Sequence, residues 1–199
     1  MKVLVVDNYD SFTHTLVGYL HDLGVGDLTV LRNDEVSGVE ALKYDAVLLS
    51  PGPGLPPEAG NLMEVIGSVV QHKSVLGICL GHQALAMHFG ANLVPALPIQ
   101  HGYKDELVLV EEGEAKIGVG WDKNILCGIP NRSAIARYHS WTVEENKESG
   151  LLVTARNHTG MVMAFEHKSL RVWGLQFHPE SILTDHGHVY LDNWLRLSR

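Results

Sequence analysis

Four short aliphatic and β-branched runs, Val3–Val6, Leu28–Leu31, Ala46–Ser50 and Val75–Ile78, recur through the amino-terminal half of the chain. Each is too short for a helix and almost wholly apolar, the pattern of a strand buried on both faces. The segments between them read as helices. From Ser11 to Leu23 the residues Phe12, Leu16, Tyr19, Leu20 and Leu23 follow helical spacing, with Ser11 placed to cap the start and Gly24 to end it. A second helical stretch runs from about Pro57 to Gln71. Strands alternating with helices predict an α/β fold, in which a parallel sheet is covered on both sides.

After Gly90 the pattern changes. Strand-like pieces at Leu107–Val110, Ala134–Tyr138, Leu151–Ala155, Met161–Phe165 and Val172–Phe177 are separated by turn-rich stretches, so this half reads as a smaller antiparallel β portion. A closing helix is expected from about His188 to Leu197, carrying Val189, Leu191, Trp194 and Leu195. With 199 residues, 45% apolar and 19% charged, and with no linker or repeat, residues 1–199 read as a single domain able to bury its own core.

A net charge of −8 argues against a non-specific grip on nucleic acid or an anionic membrane, and no apolar run is long enough to span a bilayer. Two cysteines, Cys79 and Cys127, make no disulfide framework, and the start of the chain carries no signal-peptide pattern. A cytoplasmic setting is the expectation.

Cys79 stands where the strand Val75–Ile78 meets a helix, within Gly77-Ile78-Cys79-Leu80-Gly81-His82-Gln83. Glycines two before and two after a potential nucleophile are the pattern of a nucleophile elbow. A sharp turn that lifts one side chain above a sheet brings backbone close on both sides, and a helix start behind a thiol lowers its pKa. The turn also aims the Leu80 N–H at a developing oxyanion. The alternative reading of Cys79 is a small buried hydrophobe, which is the reading adopted for Cys127.

A thiol nucleophile needs a base, and His178 in Phe177-His178-Pro179-Glu180-Ser181 is the best placed of the twelve histidines. Pro179 disfavours a helical His178, and an extended tripeptide would set Glu180 beside the imidazole, where it could fix the tautomer. The alternative is an ordinary strand-end turn. A zinc site from His178, His186 and His188 matches no usual ligand spacing, and no metal or other cofactor is expected. Ser50-Pro51-Gly52-Pro53-Gly54-Leu55 follows the third strand, where α/β folds bind ligands. The N–H groups of Gly52, Gly54 and Leu55 are its candidate oxyanion donors. No Gly-Lys-Ser/Thr follows, so it is no P-loop. His82 and His139 read as positioning or structural residues. Asp105-Glu106 and Glu111-Glu112 read as a solvated acidic face.

Taken together, Pro51-Gly52-Pro53-Gly54, the Cys79 elbow and His178-Pro179-Glu180 give a chain that resembles the class I (triad) glutamine amidotransferases over essentially its whole length. Its start, Val5-Val6-Asp7-Asn8-Tyr9-Asp10-Ser11-Phe12-Thr13, and its Arg137-Tyr138-His139-Ser140 segment are most similar to the glutaminase subunits of anthranilate and aminodeoxychorismate synthases. The resemblance implies a flavodoxin-like, open αβα fold and hydrolysis of L-glutamine to glutamate and ammonia. It implies Cys79 as nucleophile, His178 as base and then acid, and Glu180 as orienter. Gly52, Pro53, Gly54 and Leu80 would hold the oxyanion or substrate backbone, and Gln83, Ser140 and Trp141 the α-amino and α-carboxylate groups. Trp141 stands where members of the family often carry Leu, a change that a backbone contact tolerates. Gln100-His101-Gly102-Tyr103 departs from a pattern in which Gly is followed directly by Lys, here displaced to Lys104. No acceptor-binding domain is recognised in the chain, so a chorismate-utilising synthase subunit is the implied recipient of ammonia. The competing readings are a stand-alone γ-glutamyl cysteine hydrolase and a non-catalytic regulatory subunit of the same fold.

Overall fold

A computed structural model describes residues 1–97, 102–110 and 124–199. Its first strands are β1 (Lys2–Asp7), β2 (Asp27–Arg32), β3 (Ala46–Leu49) and β4 (Ser74–Ile78), joined through the helices α1 (Thr13–Asp22), α2 (Gly38–Ala41) and α3 (Leu62–Val69). Helix α4 (Leu80–His88) follows β4 directly. Beyond it lie β5 (Asn92–Pro95), β6 (Tyr103–Leu109), β7 (Ser133–Arg137), β8 (Trp141–Glu144), β9 (Leu151–Arg156), β10 (Val162–His167) and β11 (Val172–Leu175), and α5 (Gly187–Leu197) closes the chain.

Nine strands form one sheet in the order β2-β1-β3-β4-β11-β10-β9-β6-β7. The run β2-β1-β3-β4-β11 is parallel, which is the 2-1-3-4-5 order of the doubly wound, flavodoxin-like fold. From β11 onward every neighbour is antiparallel. β5 and β8 pair separately as a two-stranded ribbon. β11 therefore belongs to both portions, being antiparallel to β10 but parallel to β4, and corrects its reading as one more antiparallel strand.

Strand periodicity divides the core. Val3, Val5, Leu48 and Leu76 face one side with Leu16 and Leu20 of α1 and Tyr190, Leu191 and Trp194 of α5. Leu4, Val6, Val47 and Leu49 face the other, against Leu62, Val65 and Ile66 of α3 and Ala84 and Leu85 of α4. The runs in β1, β3 and β4 are covered on both faces and so must be apolar at every position, which is why they were legible. By contrast, β2 lies at the sheet edge with Val30 exposed, which corrects its reading as a strand buried on both faces.

Local corrections have local causes. Ser11 does not cap α1: the helix starts after Phe12, and the Asp7 and Asp10 carboxylates accept from Thr13 Oγ1 and the Phe12 N–H, at 2.8 Å each. The stretch from Pro57 to Gln71 is divided into a 3-10 turn, Pro56–Glu58, and α3, with Gly60 at φ +53° between them. Asp105 is buried, not solvated, and ion-paired with Arg137. Glu111, Glu112, Gln100 and His101 lie outside the described residues. Among the described residues no helix is long and apolar enough to cross a membrane, and no group of three or more His, Cys, Asp or Glu is gathered as a metal site.

Candidate active site

Cys79 occupies the single residue between β4 and α4 with φ 52° and ψ −100°, a conformation that costs a non-glycine residue roughly 1–3 kcal/mol. It is held there by its neighbours. Its N–H donates to the Leu175 carbonyl at 2.8 Å, and its own carbonyl accepts from the Gln83 N–H at 3.0 Å. The flanking glycines are sterically obligatory: a Cβ on Gly77 would lie 2.4 Å from the Gly81 carbonyl, and one on Gly81 would lie 2.4 Å from the Leu49 oxygen. Leu80 is the first residue of α4, so its N–H has no acceptor within the helix.

His178 follows β11, the strand beside β4, so sequence neighbours of both residues run side by side in register. Its Nδ1–H donates to Glu180 Oε1 at 2.6 Å, with both side chains almost wholly buried. The expected extended tripeptide is instead a turn, closed by Ser181 N–H donating to the His178 carbonyl at 3.3 Å with Pro179 at its second position. Thr184 Oγ1 ties the same carbonyl at 2.6 Å. Nε2 has no hydrogen-bond partner at ordinary geometry, but the Cys79 sulfur is close enough to act on the ring. Burial opposes the imidazolium. The Cys79 sulfur, followed by Glu180, more than reverses that, and His178 titrates well above its ordinary 6.5. Tyr138 and Phe12 meet the ring edge-on, at centroid distances of 4.9 and 5.5 Å.

The glycine-proline loop packs beside the elbow: a Cβ on Gly52 would meet Leu80 Cδ2 at 2.8 Å and the Asn8 carbonyl at 2.7 Å. Asn8 fixes this loop from β1. Its N–H donates to Ser50 Oγ and its side-chain amide to the Ser50 carbonyl, both at 2.8 Å. Gly54 has φ +73°, whereas the Leu55 N–H is directed to Glu58 Oε2 at 3.4 Å, which removes it from the candidate donors. On the other side of Cys79, Gln83 Nε2 donates to the Trp141 carbonyl at 2.8 Å and to Gln176 Oε1 at 3.2 Å. With both amide protons engaged, Gln83 Oε1 is left as an acceptor. The Ala96 N–H donates to the Ser140 carbonyl at 2.8 Å, so the trans peptide turns the Trp141 N–H away from β5. The structure thus gathers a thiol, a carboxylate-oriented imidazole, glycine amides and a polar shelf at the carboxyl ends of β3, β4 and β11. Such a set can carry out nucleophilic acyl chemistry.

Comparison with known proteins decides the family, since residues 4–197 match glutamine amidotransferase class-I. The chain belongs to that family. This amidotransferase is 42% identical over 201 residues to anthranilate synthase component 2 of Mycobacterium tuberculosis, covering 98% of this chain and 82% of that protein. It is 39% identical over 200 residues to aminodeoxychorismate/anthranilate synthase component 2 of Bacillus subtilis, covering 99% and 97%. Its fold matches the crystal structure of a protein from Thermoplasma acidophilum assigned as a GMP synthase subunit, with a TM-score of 0.84 and 28% identity over 100% of this chain and 94% of that one.

Sequence reasoning missed several residues around the amidotransferase site. Asn8 had its signal in the Asp7-Asn8-Tyr9 start, but its partner Ser50 lies 42 residues away in sequence, at the end of β3, the strand beside β1. Gln176, whose Nε2 lies 3.8 Å from Cys79 Sγ, sits two residues before His178 and could have been suspected from that spacing alone. His139, which the sequence already marks as positioning or structural, is buried and doubly hydrogen-bonded, to Arg137 and to the Trp141 carbonyl. His188 stacks on Tyr19 at 3.7 Å and lies 3.5 Å from Asp22 Oδ2.

Proposed function

We propose that this amidotransferase hydrolyses L-glutamine through a Cys79-His178-Glu180 triad and passes the ammonia to a chorismate-aminating synthase subunit. The observation that carries the reading is the orientation of His178. Its Nδ1 is committed to Glu180, which leaves Nε2 as the nitrogen that can exchange a proton with the thiol. Cys79 attacks the carboxamide carbon, and the resulting oxyanion is met by the Leu80 N–H and the Gly52-Pro53-Gly54 loop. His178 protonates departing ammonia, then activates water to hydrolyse the γ-glutamyl thioester. Gln83, with its free Oε1, receives the substrate ammonium, and the Ser140-Trp141 backbone receives the α-carboxylate.

Ammonia released into water is protonated and loses its nucleophilicity, so a sheltered route to a second site is required. The relatives are named as component 2 of anthranilate or aminodeoxychorismate/anthranilate synthase, which supports a component I partner that makes anthranilate or aminodeoxychorismate. Residues 1–199 act as one amidotransferase unit, in the cytoplasm, where free Cys79 and Cys127 remain reduced. Docking of the synthase accelerates glutamine turnover.

The test is Cys79→Ser in the complex with each candidate synthase. Glutamine-dependent synthesis is expected to drop by about five to six orders of magnitude, as when a nucleophile is removed from a triad. Synthesis from added ammonium salt is expected to persist. Loss of both activities would mean that Cys79 serves folding or docking, and the synthase that supports turnover identifies the product.

A further inference from the structure

Behind the glutamine shelf, a chain of buried polar groups runs from the antiparallel sheet to the nucleophile. Asp105 on β6 accepts from Arg137 Nη1 at 2.7 Å, from Asn157 Nδ2 at 2.9 Å and from the Glu106 N–H at 2.8 Å, and its Oδ1 lies 2.8 Å from His158 Nδ1. Arg137, itself buried, turns its Nε–H to His139 Nε2 at 3.1 Å and places Nη2 3.1 Å from Met161 Sδ. A guanidinium can only donate, so His139 Nε2 must carry a lone pair and the ring proton must reside on Nδ1. That proton is directed to the Trp141 carbonyl oxygen, 2.8 Å from Nδ1, the atom that also accepts from Gln83 Nε2. Gln83 in turn holds Gln176, which reaches toward Cys79 Sγ.

We propose that His139 is a positioning residue for glutamine binding: fixed as the Nδ1–H tautomer by Arg137 and Asp105, it clamps the Trp141 carbonyl and through it the Gln83 amide. This rests on the function proposed above. Each link follows from donor and acceptor chemistry. Were the His139 proton on Nε2, it would meet the Arg137 N–H, and a lone pair on Nδ1 would face the Trp141 oxygen, two repulsive contacts in place of two hydrogen bonds. A carbonyl holding two donors is fixed in rotation, and so is the Gln83 amide, whose Oε1 then faces the substrate. Burial, and after it the Arg137 charge, pushes the His139 pKa down to about 4, which agrees with a ring that remains neutral during turnover. His139 acts on the substrate only through the shelf, so its loss should weaken binding more than it slows chemistry.

The experiment measures kcat and KM for glutamine in the complex with the synthase, for wild type, His139→Phe and His139→Asn, each checked by thermal melting. His139→Phe keeps a ring of similar size without a donor, and KM is expected to rise roughly tenfold, the worth of about one well-placed hydrogen bond. His139→Asn sets an amide N–H near the former Nδ1, and is expected to recover KM to within about threefold of wild type. The kcat values should change less than KM in both. A folded His139→Phe with wild-type KM overturns the proposal, as does a folded His139→Asn no better than Phe. If His139→Phe fails to fold, Arg137→Lys provides the second arm. It keeps a cation near Asp105 but loses the planar donor, and nitrogen NMR should show the His139 proton no longer confined to Nδ1, together with a raised KM. An unchanged tautomer and KM in that variant overturn the proposal. Absence of glutamine turnover by the wild-type complex would instead overturn the functional reading itself.

Discussion

The two portions of the sheet build their shares of the site by different means. On the parallel side, β3 and β4 and the start of α4 are locked by backbone closeness: Gly77 and Gly81 leave no space for a methyl group, and Cys79 is lifted by the turn between them. On the antiparallel side, β6, β7 and the loop after β7 are locked by side-chain polarity, through Asp105, Arg137 and His139. A packed turn defines one position sharply and tolerates no added atom. A polar network spans a greater distance, but depends on every partner being present. Cys79 is therefore placed by sterics, and the polar shelf of Gln83 and Trp141 by hydrogen bonding.

The largest expected effect is on the polar side. Asp105 gathers Arg137, Asn157 and His158, and although burial raises its pKa, their hydrogen bonds and the Glu106 N–H more than reverse this and hold the carboxyl below its ordinary 3.8. Asp105→Asn leaves the guanidinium buried without its counter-charge, which should cost about 3–5 kcal/mol. Urea denaturation measures it. A loss below about 1 kcal/mol would mean that the antiparallel portion is held by packing, like its neighbour. The matching change on the steric side is Gly81→Ala, whose methyl must displace the Leu49 carbonyl. Overpacking of this kind should cost about 1–3 kcal/mol, with a loss of glutaminase activity greater than the stability change explains. Proportional losses would show that the elbow shifts as a unit without altering Cys79.

How much of this was legible follows the same division. The strands of the parallel side, the elbow and His178-Pro179-Glu180 are contiguous in sequence, so their residues declare one another within a few positions. The ribbon of β5 and β8 was missed because four residues including Pro95 carry too little pattern to register as a strand. Asp105 was misassigned because it adjoins Glu106 and resembles a charged face. Alternation on β6 separates them: Asp105 shares the inward face with Leu107, while Glu106 points out. Its partner Arg137 lies on the next sheet neighbour, and only the pairing of β6 with β7 reveals the ion pair.

His82 lies where the two portions meet, on α4 with its ring 4.5 Å from that of Phe165 on β10 and against Gly174 on β11. Burial pushes its pKa down to about 3 from 6.5. The unfolded chain binds this proton and the folded chain does not, so stability falls as pH drops through the range between those values. At pH 5 the loss is about 2 kcal/mol, at 1.36 kcal/mol per pH unit below the unfolded pKa. His82→Met, similar in size and without a titrating group, should flatten the acid side of the stability curve by that amount. Denaturation midpoints at pH 5 and pH 7.5 test it, and equal pH slopes in both proteins would show that the ring remains protonated or reaches solvent.

The smallest effect is spectroscopic and bears on the junction of β4 with β11. Three influences act on His178: burial disfavours its charge, and Cys79 and then Glu180 favour it. Cys79→Ala removes the influence that comes from the elbow and leaves the other two. The ring should then titrate at lower pH than in wild type, as followed by NMR of the imidazole. Glu180→Gln should lower it as well, since the carboxylate also favours the charged ring. Protonated His178 stabilises the fold at low pH, and that contribution disappears as pH rises through its raised pKa, so Cys79→Ala should narrow the pH range over which it operates. An unchanged His178 titration in Cys79→Ala would mean that the carboxylate alone governs the ring, and that thiol and imidazole are coupled only once substrate is bound.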